Sequence, residues 1–409
     1  MRLLKQWSHA QLDTICTKIG SGSTPRGGDN VYVDSGTAII RSQNIYNGNF
    51  SADGLAHVTE KHAEQLNGVT VESRDVLLNI TGDSVARCCQ VPDWVLPARV
   101  NQHVAIVRPD PNRLLPEFLC YYFVSPLMQK YLLSRAGSGG TRNALTKGMI
   151  ESLEVPCPDL TIQQRIVDLL RNYDDLIENN RRRIQLLELA ARLLYQEWFI
   201  HLRFPGHEHV KIKDGVPEGW VSACIADIGE VITGKTPSKK NDSYYGDDVP
   251  FIKTPDMHGN LVVIQAEESL SEKGANSQSN KTLPPRSILV SCIGTVGAVA
   301  FNGSTAQTNQ QINAIVPKDD SLRYWTFFMV KDLKGLLEGM SGGATMPNVN
   351  KSKFSNIKVT IPSPLMLEQF ASVVAPQIDQ IEKLILMNSR LAKARDLLLP
   401  RLMNGELVA

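Results

Sequence analysis

The stretch YDDLIENNRRRIQLLELAARLLYQEW, residues 173–198, has side chains of one face at alternating steps of four and three residues. This heptad spacing places mostly apolar groups along one side of a helix, which is typical of a coiled-coil strand. One member of the series, Asn180, is polar. The predicted seam consists of Tyr173, Ile177, Asn180, Ile184, Leu187, Ala191, Leu194 and Trp198.

A second long helix is predicted near the end of the chain, where LLLPRLMNGEL occupies residues 397–407. Ser363 and Pro364 supply a cap followed by proline at the first helical position, and Pro376 is expected to kink or restart the helix. Two seams can bury each other, so an antiparallel helix pair about 45–60 Å long is predicted from roughly 1.5 Å per residue. The alternative is that each helix packs only onto its own domain. The second seam consists of Ile381, Leu384, Asn388, Leu391, Arg395, Leu398 and Leu402.

Much of the sequence before the second helix repeats the sequence before the first, in the same order. Such self-similarity at a fixed period predicts two copies of one structural unit. The matching pairs include GSTP (22–25) and GKTP (234–237), RDVLLNITGD (74–83) and RSILVSCIGT (286–295), and NQHVAIVRP (101–109) and NQQINAIVP (309–317).

The predicted fold class is α+β, with two tandem α/β domains, each followed by a long helix, and with the two helices forming an antiparallel coiled coil. An internal pseudo-twofold repeat relates the copies. Short β-branched runs between Gly, Pro, Asn and Asp predict strands and turns, and the apolar run 288–301 is too short for a membrane helix and is predicted to be a buried strand pair. The predicted boundaries are 1–160 for the first domain, 161–205 for the first long helix, 206–362 for the second domain and 363–409 for the second long helix.

Composition excludes some classes of protein. Lys and Arg number 43 against 42 Asp and Glu, so positive charge for DNA binding must be local. The seven cysteines include no C-x-x-C pair, which argues against a disulfide framework or a zinc site. His207-Glu208-His209 lies in a charged linker and is interpreted as solvated, so no metal site is predicted. Reduced thiols and the absence of a signal peptide predict a cytoplasmic protein.

No catalytic site is predicted. The sequence has no Asp/Asn-Pro-Pro-aromatic motif of an adenine methyltransferase, no P-loop and no Glu-x-Lys of a nuclease. A stand-alone methyltransferase or nuclease is therefore disfavoured, and no cofactor is expected in this chain.

Local positive charge follows the predicted packed helices in both copies, around the Gly-rich loops GSGGTRN (137–143) and MSGGATMPN (340–348). Backbone amides and hydroxyls of such loops can approach phosphates, while Lys and Arg release counterions. The alternative is a solvated surface loop. The candidate DNA contacts here are Arg135, Thr141, Arg142 and Lys147 in the first copy, and Thr345, Asn348, Lys351 and Lys353 in the second.

Earlier loops carry side chains suited to base edges, since Arg and Lys pair with guanine, Asn and Gln with adenine, and acids with cytosine. The copies share a framework and differ in these side chains, as two readers of different short sequences would. The alternative for each single residue is an ordinary turn or surface role. Asn101-Gln102 and Asn309-Gln310 are interpreted as structural polar positions. The candidates are Ser23, Thr24, Arg26, Arg41, Gln43 and Asn44 in the first copy, and Lys235, Thr236, Lys239, Lys240, Lys253, Thr254 and Asp256 in the second.

The whole chain resembles the specificity subunit of a type I restriction–modification system. PEGW (217–220) before the second copy, Gln164 and Gln369 near the helix starts, and the closing LLLPRLMNGEL carry this resemblance together with the duplication. It implies a non-catalytic subunit whose two target-recognition domains each read one half of a split, asymmetric DNA site. The helices would then set the gap between the halves.

The resemblance also implies the partners. These are double-stranded DNA, two methyltransferase subunits and, through the complex, nuclease/translocase subunits; no membrane is involved. S-adenosylmethionine, ATP and Mg²⁺ would belong to the partner subunits, and adenine-N6 methylation would require a flipped base in the methyltransferase pocket. The alternative is a duplicated coiled-coil adaptor that binds only proteins.

Overall fold

The structure, a computed structural model, describes residues 7–25, 27–137, 143–340 and 348–407. The chain divides into two compact units, each of which combines one copy of the repeat with part of both long helices. The first unit contains residues 1–176 and 391–409, and the second contains residues 177–390.

Short strands and helices of the first unit precede the first long helix. The strands are β1 (His9–Gln11), β2 (Cys16–Ser21), β3 (Tyr32–Val33), β4 (Thr37–Ile40), β5 (Ile45–Tyr46), β6 (Asn49–Phe50), β7 (Ala56–Val58), β8 (Thr70–Val71), β9 (Val76–Asn79), β10 (Cys88–Gln90), β11 (Ala98–Val100), β12 (Val104–Pro109) and β13 (Glu154–Pro156). The helices are α1 (Leu12–Ile15), α2 (Glu60–Glu64), α3 (Pro116–Val124), α4 (Pro126–Gly137), α5 (Lys147–Glu151) and α6 (Leu160–Tyr195), the first long helix.

Two larger sheets form the centre of the first unit. One has the strand order β10-β9-β12-β2 and is antiparallel, and the other has the order β3-β7-β4-β11-β8, in which β4 and β11 run parallel. Successive side chains of a strand point to opposite faces. Leu78 accordingly packs with Phe118 of α3 on one face of β9, while Leu77 packs with Val100 and Ile106 on the other. Both faces are covered, which explains why this strand is a continuous apolar run.

The second unit largely repeats this order of elements, with an additional hairpin, β14 with β15, before it. Its strands are β14 (Ile212–Lys213), β15 (Val216–Pro217), β16 (Val221–Cys224), β17 (Gly229–Thr233), β18 (Tyr245–Ile252), β19 (Val262–Val263), β20 (Glu268–Leu270), β21 (Ile288–Ser291), β22 (Val299–Asn302), β23 (Gln307–Thr308), β24 (Ile312–Pro317) and β25 (Lys358–Ile361). Its helices are α7 (Ile225–Ile228), α8 (Thr254–Met257), α9 (Glu272–Asn276), α10 (Asp320–Asp332), α11 (Lys334–Met340), α12 (Lys351–Ser355) and α13 (Pro364–Met403), the second long helix.

The sheets of the second unit have the orders β17-β24-β21-β22-β19 and β20-β18-β23. In each unit the strand that opens the copy pairs with the strand that ends it: Ala10 lies opposite Val155, and Ala223 lies opposite Val359. The predicted duplicated α+β fold is therefore confirmed, and the apolar run 288–301 forms the predicted buried strand pair, β21 with β22.

The long helices contain 36 and 40 residues. The second continues through Pro376, so the prediction of a new start there is wrong. The first ends at Tyr195, before the predicted residue 205, and one π-helical turn follows it. Phe199 in that turn packs against Phe370 and Trp220, at centroid distances of 5.0 and 6.0 Å, so this apolar stretch joins the domain core. No helix within the described ranges is both long and apolar enough to cross a membrane.

The helices run antiparallel where they pack in the second unit, since Asn180 contacts Asn388 and Tyr195 contacts Phe370. Asn180 Nδ2 donates to Asn388 Oδ1 over 2.9 Å, and Asn388 Nδ2 donates to the Ile177 carbonyl over 3.3 Å. Asn180 is only 4% exposed, and these bonds satisfy an amide that would otherwise be costly inside the seam. All the predicted seam residues are buried or half-buried.

Candidate nucleic-acid interface

Backbone hydrogen bonds bring two of the predicted DNA-contacting loops of the first unit together. Ser23 N, in the GSTP loop, donates to Val100 O over 3.0 Å, and Asn101 N donates to Ile40 O over 3.1 Å. A Cβ on Gly22 would lie 2.0 Å from Val100 O, so this loop can cross the strand only because residue 22 is glycine. The GSTP loop and the turn after Ile40 therefore meet at the same sheet end.

The end of the Gly-rich loop joins them. Leu145 N donates to Ile80 O over 2.8 Å, and Ile80 N donates to His103 O over 3.0 Å. Gly82 N donates to Asn143 O over 3.2 Å. Three segments far apart in sequence thus form one surface, which we call the loop end of the unit.

The loop end of the second unit is built with matching bonds. Lys235 N, in the GKTP loop, donates to Thr308 O over 2.9 Å, and Asn309 N donates to Ile252 O over 3.2 Å. A Cβ on Gly234 would lie 2.2 Å from Asn309 O, so glycine is again required for the crossing.

The described part of the second Gly-rich loop reaches the same place. Val349 N donates to Cys292 O over 2.8 Å, and Cys292 N donates to Gln311 O over 2.7 Å. In both units, then, one surface collects the segments on which the sequence places candidate DNA contacts.

Two of these candidates, Asn44 and Asp256, hold the turn that follows Ile40 or Ile252 in its conformation. Asn44 Oδ1 accepts from Arg41 N over 3.0 Å, and Asp256 Oδ2 accepts from Lys253 N over 2.8 Å. Asn44 is wholly buried, and Thr254 is 5% exposed. All three are candidates for base contact with a turn role as the alternative, and the structure gives Asn44 and Asp256 the turn role and buries Thr254.

The basic residue of this turn differs between the units. Arg41 and Gln43 both donate to Gly54 O, over 2.6 and 3.3 Å, and Arg41 has no ion pair with any acid of the described chain. Lys253 instead forms an ion pair with Glu268, and its hydrogen bond lowers the pKa of that carboxyl group. The first loop end keeps a free positive charge here, whereas the second neutralises it.

The remaining candidates are mostly accessible. Arg135 is half-buried, with its guanidinium 5.9 Å from the Tyr131 ring centroid, and Lys147 lies 3.4 Å from Glu151. Thr236 is half-buried. The exposed candidates are Ser23, Thr24, Gln43 and Lys147 in the first unit, and Lys235, Lys239, Lys240, Asn348, Lys351 and Lys353 in the second. The candidates outside the described residues are Arg26, Thr141, Arg142 and Thr345.

Comparison with known proteins identifies the repeated unit. The family model described as "Type I restriction modification DNA specificity domain" matches the chain twice, over residues 5–189 and 217–375. The chain belongs to this family. The two matched regions each contain one copy of the loop end, so each loop end is part of a specificity domain.

Relatives and a solved structure agree with this assignment. The chain is 33% identical over 371 residues to the type I restriction enzyme HindI specificity subunit of Haemophilus influenzae, covering 75% of this chain and 81% of that protein. It is 25% identical over 419 residues to the MjaIX specificity subunit of Methanocaldococcus jannaschii, covering 99% and 94%. The crystal structure of a type I S subunit from M. genitalium shares the fold, with a TM-score of 0.63 at 14% identity over 98% of both chains.

The specificity-domain loop ends also contain residues that sequence reasoning treated as structural. Asn101 and its counterpart Asn309 are indeed buried, and the side chain of each accepts a backbone hydrogen bond two residues ahead. The next residues, Gln102 and Gln310, are exposed, and Gln310 Oε1 accepts from Thr236 Oγ1 over 2.6 Å. The repetition of Asn-Gln in both copies was the available signal. A buried turn residue followed by an exposed amide adds Gln102 and Gln310 to the candidate DNA contacts.

Two cysteines of the specificity domains, Cys16 and Cys292, are poor nucleophiles. Burial, with a smaller effect of Asp13, raises the pKa of the Cys16 thiol to about 12, and burial raises that of Cys292 to about 11. Both thiols are therefore protonated at neutral pH, whereas reactive cysteines need a lowered pKa. Within the described ranges, no three His, Cys, Asp or Glu residues group in a way that could hold a metal.

Proposed function

We propose that this chain is the DNA-reading subunit of a type I restriction–modification complex and that it recognises a split, asymmetric target. Each recognition domain, predicted as residues 1–160 and 206–362, reads one half of the target through its loop end. Exposed polar and basic side chains contact bases, while Lys, Arg and loop amides contact phosphates.

The observation that carries this proposal is the matched construction of the two loop ends with unmatched side chains. The glycine crossings at Gly22 and Gly234 and the turn bonds at Asn44 and Asp256 recur. The exposed positions between them differ, for example Ser23 against Lys235. A duplicated scaffold that presents different side chains suits the reading of two different half-sites.

The long helices are proposed to set the gap between the half-sites. At roughly 1.5 Å per residue they are about 54 and 60 Å long, which exceeds the roughly 34–36 Å that separates half-sites one duplex turn apart. Inserting one heptad into each helix beside Asn180 and Asn388 is expected to change the methylated gap length. An unchanged gap would exclude the helices from spacing.

The chemistry is proposed to lie in partner subunits. Two methyltransferase subunits would bind this chain and transfer methyl groups to adenine N6, and nuclease/translocase subunits would join them for restriction. S-adenosylmethionine, ATP and Mg²⁺ would be bound by those partners, and this chain would act without catalysis in the cytoplasm. Co-purification of the chain with a type I methyltransferase subunit from the same host is the direct test of this assembly.

Detection of methylated adenines by long-read sequencing tests the function. The chain is expressed with its methyltransferase partner in a host that lacks type I systems, and the methylome is compared with that of a strain lacking this gene. The expected result is a bipartite motif with a fixed gap that depends on this gene.

An unchanged methylome from cells in which the two proteins co-purify would reject the proposal. An adaptor that binds only proteins would give this result and would also show no sequence-specific, salt-sensitive DNA binding by the purified complex.

A further inference from the structure

Two arginines away from the loop ends occupy an unusual backbone conformation at matched positions of the copies. Arg74 has φ 68° and Arg286 has φ 62°, and one residue separates each of them from the start of a central strand, β9 or β21. Each is the third residue of a four-residue turn, closed by Asp75 N donating to Glu72 O and by Ser287 N donating to Pro284 O. A positive φ at that turn position favours glycine, because L side chains are strained there.

The Arg286 side chain extends from its turn to the second long helix. One terminal nitrogen lies 2.6 Å from Asp379 Oδ1 and 2.7 Å from Glu382 Oε2, and the other donates to the Tyr324 hydroxyl over 2.9 Å. The side chain is 19% exposed. One guanidinium thus joins the β21 turn, the packed helix α10 and the long helix α13.

The Arg74 side chain makes a related connection in the first unit. It donates two parallel hydrogen bonds to Glu117 of α3, over 3.0 and 2.7 Å. Glu117 Oε1 also lies 3.6 Å from Arg171 on the first long helix. Arg286 therefore bonds directly to the long helix in the second unit. In the first unit, Glu117 links Arg74 to Arg171 of the long helix.

Glycine would relieve the backbone at both turns, so the presence of arginine twice requires another reason. Its planar fork and length allow it to bind carboxylates on a separate element with fixed geometry. An isolated surface ion pair would contribute little, but the residue shared by each set of pairs is mostly covered, with Glu117 13% and Arg286 19% exposed, and the sets recur at matched turns.

We infer that Arg74 and Arg286 are positioning residues that fix each recognition domain in one orientation on the long helix that follows it. This inference rests on the proposed function, because the orientation of each domain on its helix decides which gap between half-sites can be bound. Arg286 has the stronger effect, since it bonds directly to two carboxylates of the long helix.

The test compares Arg286→Gly with the parent in the complex with methyltransferase, by measuring methylation at targets that differ only in gap length. Glycine keeps the positive φ and removes the tie to α13. Methylation at gaps next to the parental length should rise about tenfold relative to methylation at the parental gap. Without the bonds from Arg286 to α13, the recognition domain can take other orientations on the helix and so reach half-sites at other distances. The half-site sequences should not change, and Arg74→Gly should give a smaller effect in the same direction.

Two controls separate positioning from folding. Asp214→Gly changes another exposed residue with positive φ, 53°, and should leave the gap preference at the parental value. The double variant Asp379→Ala with Glu382→Ala removes both acceptors on α13, leaves the Arg286 turn intact and should reproduce the relaxed gap. Melting temperatures of all variants show whether each is folded.

The outcomes distinguish the two proposals. Lower methylation with an unchanged gap preference in both Arg286→Gly and the helix double variant would overturn the positioning role, as would an altered half-site sequence. Failure of the parental complex to methylate any split motif would instead reject the proposed function itself.

Discussion

In both recognition domains a buried side chain donates a hydrogen bond to a backbone carbonyl of a short helix, but the donor is a different residue type in each. In the first, Arg99 Nε donates to Ala63 O over 3.2 Å; in the second, Gln307 Nε2 donates to Ala275 O over 2.9 Å. Both donors tie the strand behind the loop end to the short helix α2 or α9. The arginine is 9% exposed and has a pKa lowered by burial, whereas the glutamine is wholly buried and neutral. What the copies preserve is the bonded backbone acceptor, and the donor varies.

The loop ends show the same pattern, because their shared backbone hydrogen bonds are kept while the exposed side chains differ. Asn44 and Asp256 differ in chemistry yet accept the same backbone hydrogen bond, while Arg41 has no acid partner in the described chain and Lys253 is paired with Glu268. A change that spares the shared backbone bonds can therefore alter what a domain reads without altering its fold.

Exchange of residues 1–160 for those of a relative should have the largest effect on this comparison. Because each domain carries its own loop end, one half of the methylated motif is expected to change completely while the other half stays intact. The measurement is the methylome of cells expressing the chimaera with the methyltransferase. Changes in both halves would show that the copies are not independent readers.

The substitutions Gly22→Ala and Gly234→Ala should have the second-largest effect on target methylation. Each added Cβ would approach a carbonyl oxygen to 2.0 or 2.2 Å, so the loop must move and the overpacking should cost about 1–3 kcal/mol of unfolding free energy. Target methylation should fall about 100-fold because the displaced loop no longer positions its contacts. Gly20→Ala, where a Cβ meets nothing within 4 Å, is the matched control and should retain methylation.

Substitution of Arg99, which donates to the Ala63 carbonyl, should have a moderate effect on the free energy of unfolding. Arg99→Leu should lower the unfolding free energy by about 1–3 kcal/mol, because buried acceptors lose their partner. Arg99→Gln should cost less than about 1 kcal/mol, since the second domain places glutamine at this position and bonds the matched carbonyl. Urea unfolding of the purified chain measures both, and equal losses would contradict the equivalence of the two donors.

The smallest effect is expected from the basic residue of the turn. Arg41→Gln should reduce the salt dependence of DNA binding by about 0.9 in log–log slope, as expected for one lost phosphate contact. Lys253→Gln should change the slope less, because Glu268 already neutralises that lysine. Titrations of the complex at several salt concentrations measure the slopes, and a larger change for Lys253→Gln would reverse the proposed difference between the domains.

The family, the duplication and the fold were predictable from sequence, because each rests on local or repeated patterns. The heptad seam around Asn180 is a periodic signal, and the apolar run 288–301 has the length of a buried strand pair. The end of the first long helix was not predictable in the same way. Apolar side chains such as Phe199 indicate burial, and the sequence alone does not say whether they are buried by another helix or by the domain core.

The roles of individual polar side chains were harder to predict for a different reason. Asn44 and Gln43 are neighbours of similar chemistry, yet one is wholly buried and the other exposed. Their partners, such as Ser51 O and Gly54 O, lie on a loop several residues away, and composition does not reveal which side chain turns toward it. The tie from Arg286 to Glu382 spans nearly a hundred residues and depends on tertiary packing.

The pairing of the opening strand of each domain with its closing strand has a consequence for how such genes change. Because β1 lies beside β13 and β16 beside β25, the chain enters and leaves each domain at neighbouring points. Two recombination events in the gene, one upstream of the opening strand and one before the long helix, would deliver a complete folded cassette. The new domain would bring both strands of its own closing pair, so only the side chains that face the long helices would have to match the rest of the protein.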